Sequence, residues 1–177
     1  MITRPEIEAA GIASGTDKVT QHGYQRFYAQ FLSEFDGNDS IVEIGFGKGN
    51  SIPFWKMLYP SAFLYVVDKN VVAKGDGFEV MRCDQSSKDQ LASFASFLCD
   101  KSVGFIIDDG SHIPEHQLLT FNNLFGVLNS GGVYIIEDIE CSYWKRGTCY
   151  GYPTEYGLES SKSLIRQFLQ LSNWINR

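Results

Sequence analysis

Four carboxylates and an imidazole concentrate the chemistry of this chain in two short segments. Ile107-Asp108-Asp109-Gly110-Ser111-His112 closes one apolar run, and Ile136-Glu137-Asp138 closes another. If those runs are neighbouring strands of one sheet, their ends lie about 5 Å apart and the four carboxylates share a crevice. Like charges that close raise one another's pKa unless a cation neutralises them. A hard divalent ion suits Asp109, Glu137 and Asp138, with water and substrate oxygens completing its shell. Magnesium is the first expectation because few protein ligands are offered, and manganese would bind similarly. The competing role is capping: Asp109 or Ser111 ahead of a helix that starts near Pro114, and Asp138 at a turn. His112 follows Asp109 closely enough to take a proton from a substrate hydroxyl as general base. His116 could pair with it as a ligand on one helix face, but Pro114 lies between them. Proline interrupts a regular helix there, so His116 is read as structural.

A second group surrounds Glu43-Ile44-Gly45-Phe46-Gly47-Lys48-Gly49-Asn50. Glycines let a backbone turn tightly and approach a ligand, and a following helix offers free N–H groups. A dinucleotide fingerprint would need glycine where Asn50 stands; the spacing here is E-x-G-x-G-x-G. On its own such a loop is only a tight strand–helix turn. Asp68 ends the next apolar run, where an acid can accept both hydroxyls of an adenosine ribose. Its alternative is a cap or turn. Asp84-Gln85 ends the third run, where an acid and an amide suit an adenine edge. Ligands of open α/β sheets bind outside the carboxyl ends of the strands. Glu43, Gly45, Gly47, Gly49, Asp68, Asp84 and Gln85 are therefore the expected cofactor-binding residues.

Apolar periodicity supplies the elements that must hold these groups. Helical spacing runs over 21–35 through Tyr24, Phe27, Tyr28, Phe31 and Leu32, then over 51–59 with Ser51 as cap and Pro60 beyond. It returns over 87–98, 114–128 and 158–175. Strand-like runs cover 40–45, 62–68, 78–83, 103–108 and 132–136. Alternating strands and helices predict an α/β, Rossmann-like, doubly wound and mainly parallel sheet with helices on both faces. The segment 142–156, rich in Gly and Tyr, reads as a long loop whose Tyr143, Trp144, Tyr150, Tyr152 and Tyr156 suit stacking on sugar faces or ordinary packing.

The 177 residues suffice for one domain with a proper core. Apolar residues at 44% and charged residues at 20% mark a globular chain. A net charge of −6 argues against nucleic acid or an anionic membrane as partner. No run approaches the ~20 apolar residues of a membrane span, and the N-terminus has no apolar signal core. Cys83, Cys99, Cys141 and Cys149 show no CxxC spacing, so reduced thiols and a cytoplasmic setting are expected.

Taken together these residues resemble the metal-dependent sugar O-methyltransferases of macrolide biosynthesis, a branch of the class I S-adenosylmethionine (SAM)-dependent enzymes, with cephalosporin hydroxylase more distant. The likeness rests on Gly15-Thr16-Asp17-Lys18, His22, Tyr24, the segment from Glu43 to Ser51, and Asp84-Gln85. It continues through IIDDGSHIPEHQ, GGVYIIED and SYW. The resemblance implies SAM as cofactor, with contacts at Gly45, Ser51, Asp68, Gln85 and Asp108. It implies magnesium (or manganese) on Asp109, Glu137 and Asp138, and His112 as catalytic base. Residues 1–38 would form a helical lid carrying His22 and Tyr24, and 39–177 a core that lacks the last two strands of the class. A sheet edge left open would favour a homo-oligomer. The acceptor would be a hydroxyl of a small molecule or glycoside. The rivals are a SAM-binding module without catalysis and an iron hydroxylase using His112 and His116.

Overall fold

The run Ser40–Ile44 is mostly apolar, with Glu43 its one charged residue, and is buried along nearly its whole length, as a strand covered on both faces must be. It is β1, near the middle of the sheet. The computed structural model describes residues 2–149 and 152–175. Before β1 come α1 (Arg4–Ser14), α2 (Asp17–Thr20) and α3 (Gln25–Phe31). After it follow α4 (Ser51–Leu58), β2 (Leu64–Asp68), β3 (Ala73–Gly75), β4 (Phe78–Arg82), α5 (Lys88–Leu98) and β5 (Val103–Asp108). The rest comprises α6 (Pro114–Leu124), β6 (Leu128–Ile136), β7 (Gly147–Cys149), β8 (Tyr152–Thr154) and α7 (Leu164–Ile175).

The main sheet has the order β3-β4-β2-β1-β5-β6, with every pairing parallel except β3 on β4. Chain order reverses direction between β1 and β5, the switch point at which such sheets bind ligands. Side chains alternate across β1. Ile41 joins a core with Ile7, Tyr28, Phe54, Trp55 and Phe105, while Val42 and Ile44 join Leu91, Phe94, Leu98 and Leu124 on the other face. Helices α1, α3 and α4 thus cover one face and α5 and α6 the other. Each fully buried large side chain contributes about 1.5–3 kcal/mol. This is the doubly wound α/β architecture expected.

Several boundaries differ for identifiable reasons. The helix expected over 21–35 is broken at Gly23, whose φ of 69° is left-handed, so only α3 remains. Helix α1 lies within the helical region expected over 1–38, and Thr3 and Glu6 mark its start with a capping box around Pro5. The N-cap of α4 is Asn50, not Ser51; Ser51 is the first helical residue and is buried. Helix α6 stops at Leu124 and a 3-10 turn, Phe125–Val127, leads into a longer β6. The expected loop contains the β7–β8 hairpin, and α7 starts only at Leu164. Cys83 is a buried free thiol and Cys99 an exposed one, and Cys141 is buried. No helix among the described residues is long and apolar enough to cross a membrane.

Candidate functional site

Register brings the two acidic segments together. Ile44 pairs with Asp108 and Asp108 with Ile136 across three adjacent strands. Asp109 N–H donates to the Ile44 carbonyl and Glu137 N–H to the Asp108 carbonyl, both at 2.9 Å. The side chains that follow are thus delivered to one sheet end. A cavity of about 630 Å³ opens there, lined by Glu43, Gly45, Gly47, Ser51, Asp68, Asp84, Gln85, Asp109 and His112 among others.

The glycine loop is shaped by contact as well as by turning. Gly45 has φ 96°, and a Cβ on it would meet the Asp109 carbonyl oxygen at 2.2 Å. Gly47 also has positive φ, but its missing side chain would point into open space. Gly49 packs against the Phe46 ring and is not among the cavity-lining residues. Asp68 clips the loop to its own strand end, accepting from Phe46 N–H at 3.2 Å, Asn70 N–H at 2.7 Å and Val71 N–H at 3.0 Å. Asp84 accepts from the Ser86 hydroxyl and pairs with Lys69, and these hold its pKa down at about 2. Asp108 is fully buried behind Gln85, accepting from its amide at 2.7 Å, and does not line the cavity. Burial pushes the Asp108 carboxyl up to about 7, against the Gln85 hydrogen bond. Gln85 in turn accepts from Ser111 N–H at 2.8 Å.

The carboxylates divide into two sets. The buried ammonium of Lys18 lies 2.5 Å from Asp109 Oδ2, 2.8 Å from Glu137 Oε2 and 3.3 Å from Glu43 Oε1. The other Glu137 oxygen accepts from the Tyr28 hydroxyl, and Gln117 donates to the Glu137 carbonyl at 3.0 Å. Both Glu137 oxygens are therefore engaged by the protein. Burial works against the Lys18 charge, but Glu137, Glu43 and Asp109 overcome it and hold its pKa well above the usual lysine value. Burial also raises the pKa of Glu43 and Glu137, with Lys18 opposing.

Asp138 accepts from the Tyr24 hydroxyl and lies 3.7 Å from His22 Nδ1. Asp109, His112 and Asp138 offer ligand atoms all within 4.8 Å of one another. His116 instead meets the Ser111 hydroxyl at 2.9 Å, so the cluster holds one imidazole and two carboxylates. Beyond Asp138 lies a second, apolar groove of about 660 Å³ lined by Tyr24, Phe27, Phe31, Val133, Ile135, Tyr143 and Trp144. Tyr156 turns away to Glu115. Tyr150 lies outside the described residues, and of Tyr152 only the backbone is described. Lys18 and Tyr28 were not singled out for the site from the sequence. The signal the sequence does carry is electrostatic, since a cluster of acids needs a cation and Lys18 stands in the Gly15-Thr16-Asp17-Lys18 segment of the resemblance.

No family model matches the sequence. It is 33% identical over 152 residues to an 8-demethyl-8-alpha-L-rhamnosyl tetracenomycin-C 2'-O-methyltransferase of Streptomyces olivaceus, covering 79% of this chain and 39% of that one. It is 28% identical to a demethylmacrocin O-methyltransferase of Streptomyces fradiae, over 70% of this chain and 33% of the relative. A mycinamicin VI 2''-O-methyltransferase of Micromonospora griseorubida is 31% identical, over 59% and 28%. The fold superposes on MycE methyltransferase from the mycinamycin biosynthetic pathway, a complex with Mg, SAH and mycinamycin VI. There the TM-score is 0.84 at 23% identity, covering 98% of this chain and 49% of that chain. The chain thus spans less than half the length of these relatives, and its fold is that of a class I methyltransferase.

Proposed function

We propose that this chain, whose curated relatives are sugar O-methyltransferases, carries the cofactor and metal site of a SAM-dependent enzyme that methylates a sugar hydroxyl on a small molecule or glycoside. The observation that carries this reading is the position of the Asp109–His112–Asp138 cluster. Asp109 and His112 line the polar cavity, and Asp138 lines the apolar groove. A methyl donor on one side and an acceptor on the other would meet there.

The polar cavity fits SAM by its chemistry. Gly45 and Gly47 admit a ligand close to the backbone, Asp68 at the end of β2 suits a ribose, and the acid and amide of Asp84 and Gln85 suit an adenine edge. Its volume is within the ordinary range for cofactor sites. The cluster likewise fits magnesium or manganese: Asp109 and Asp138 would hold the ion, with Glu137 beside them shared with Lys18. When bound, the ion would orient an acceptor hydroxyl and lower its pKa. His112 takes that hydroxyl's proton as the oxygen attacks the methyl carbon. When bound, SAM would supply that methyl carbon, the C–S bond breaking as the C–O bond forms and a neutral thioether being left. Tyr143 and Trp144, each about half exposed, offer faces on which the rest of the acceptor rests.

Calorimetry of SAM and magnesium binding tests the assignment in the wild type, Asp68→Ala and Asp109→Ala. Asp68→Ala should lose SAM binding while keeping magnesium, and Asp109→Ala should lose magnesium. A wild type that binds neither overturns the proposal.

A further inference from the structure

The site contains a cation of its own. Lys18 projects from α2 and is 1% exposed, an arrangement that costs several kcal/mol in desolvation unless charged partners repay it. Its partners are Glu43, Asp109 and Glu137, from the ends of three adjacent strands. Three carboxylates meet this one ammonium and Asp138 stands beside Asp109, so the four acids exceed Lys18 by three formal negative charges that other cations can balance.

Two consequences follow from the contacts. Without Lys18, Glu43 and Glu137 would be buried anions with no opposite charge, and they would protonate or move apart. Lys18 therefore fixes the carboxylates whether or not a metal is bound. Yet Asp109 is also a candidate metal ligand, and an ammonium 2.5 Å from its Oδ2 takes up a lone pair and repels a dication.

We propose that Lys18 is a positioning residue: a tethered cation that shares Asp109 with the metal, holds Asp109 and Glu137 in place, and keeps metal affinity weaker than the acids alone would give. This rests on the metal reading above. An ordinary structural ion pair would act differently, because its loss would loosen the site and weaken metal binding. The sign of the change separates the two.

The test is magnesium titration by calorimetry and thermal melting of the full 177-residue chain, as wild type, Lys18→Met and Lys18→Met/Glu43→Gln. Lys18→Met should bind magnesium at least about tenfold more tightly at pH 8, melt lower without metal, and recover more of its melting temperature with it. The double variant removes one charge of each sign, so it should melt above the single one. If Lys18→Met does not fold, the double variant decides. With the ammonium gone from Asp109 it should still bind magnesium severalfold more tightly than wild type, and equal or weaker binding overturns the proposal. A wild type that binds magnesium while Lys18→Met binds no tighter overturns the Lys18 role alone. A wild type that binds none overturns the metal reading and the affinity-setting role together.

Discussion

His112 and Asp138 are the two non-glycine residues with left-handed backbone among those described, at φ 57° and 49°, and both give ligand atoms to the cluster that contains Asp109. Such a conformation costs roughly 1 kcal/mol or more at each residue and persists where surrounding structure imposes it. Strain of this kind gathers at functional sites. The His112 turn brings an imidazole to the wall of the polar cavity, near Asp138 of the apolar groove, at a stability cost that a glycine would avoid.

Replacing His112 should therefore separate stability from activity. His112→Gly is expected to gain about 1 kcal/mol in denaturant unfolding, and His112→Asn, which tolerates the same backbone, to stay near wild type. Both should lose roughly 10²–10⁴-fold in turnover, the usual worth of a general base. SAM binding should be unchanged. A loss below tenfold in both variants removes His112 from the chemistry.

Asp138 and Glu137 are adjacent but should respond in opposite ways. Asp138→Asn keeps an oxygen for Tyr24 and loses only charge, so magnesium binding should fall at least about tenfold with little change in metal-free stability. Glu137→Gln deprives buried Lys18 of a charge partner 2.8 Å away and should cost about 3 kcal/mol without metal. Urea unfolding in a chelator, paired with magnesium titration, checks both. The reverse order of effects would place the metal on Glu137.

The glycine loop is coupled to the metal cluster through one backbone contact. Gly45→Ala would drive a Cβ to 2.2 Å from the Asp109 carbonyl, so the segment leading to His112 must shift. Gly47→Ala meets nothing within 4 Å and bears only the left-handed strain, about 1 kcal/mol. Gly45→Ala should weaken both SAM and magnesium, whereas Gly47→Ala should affect SAM alone. Equal magnesium affinity in the two variants would break the coupling.

The parts legible in the sequence were those set by periodicity and by strand ends. β5 begins and ends as its apolar run predicted, and the acids after β5 and β6 meet because those strands pair. What was not legible depended on tertiary choices. Nothing local to Asp108 distinguishes it from Asp109, yet strand pleating turns one onto Gln85 inside the core and the other toward the cavity. Lys18 carries no periodic signal at all; only its distance from three strand ends, fixed by the packing of α1 to α3, makes it part of the site. Gly23 breaks a helix that apolar spacing alone would have continued.

Asp84 should remain ionised across the working range of the cavity it lines. Its pKa falls from 3.8 to about 2, first through the Ser86 hydroxyl and then through Lys69. A depressed carboxyl gives stability that is complete above about pH 4 and is lost as pH falls toward 2. The group is partly open to solvent, with 26% of its side chain exposed, so the Lys69 share is screened by salt while the Ser86 hydrogen bonds are not. Carboxyl titration by NMR should therefore show a larger rise in the Asp84 pKa for Ser86→Ala than for Lys69→Ala, and little change for wild type in 0.5 M salt, roughly the regime of a few-ångström Debye length. If salt alone restores an ordinary carboxylate pKa, the Lys69 ion pair rather than Ser86 sets the acidity of Asp84 at this end of the cavity.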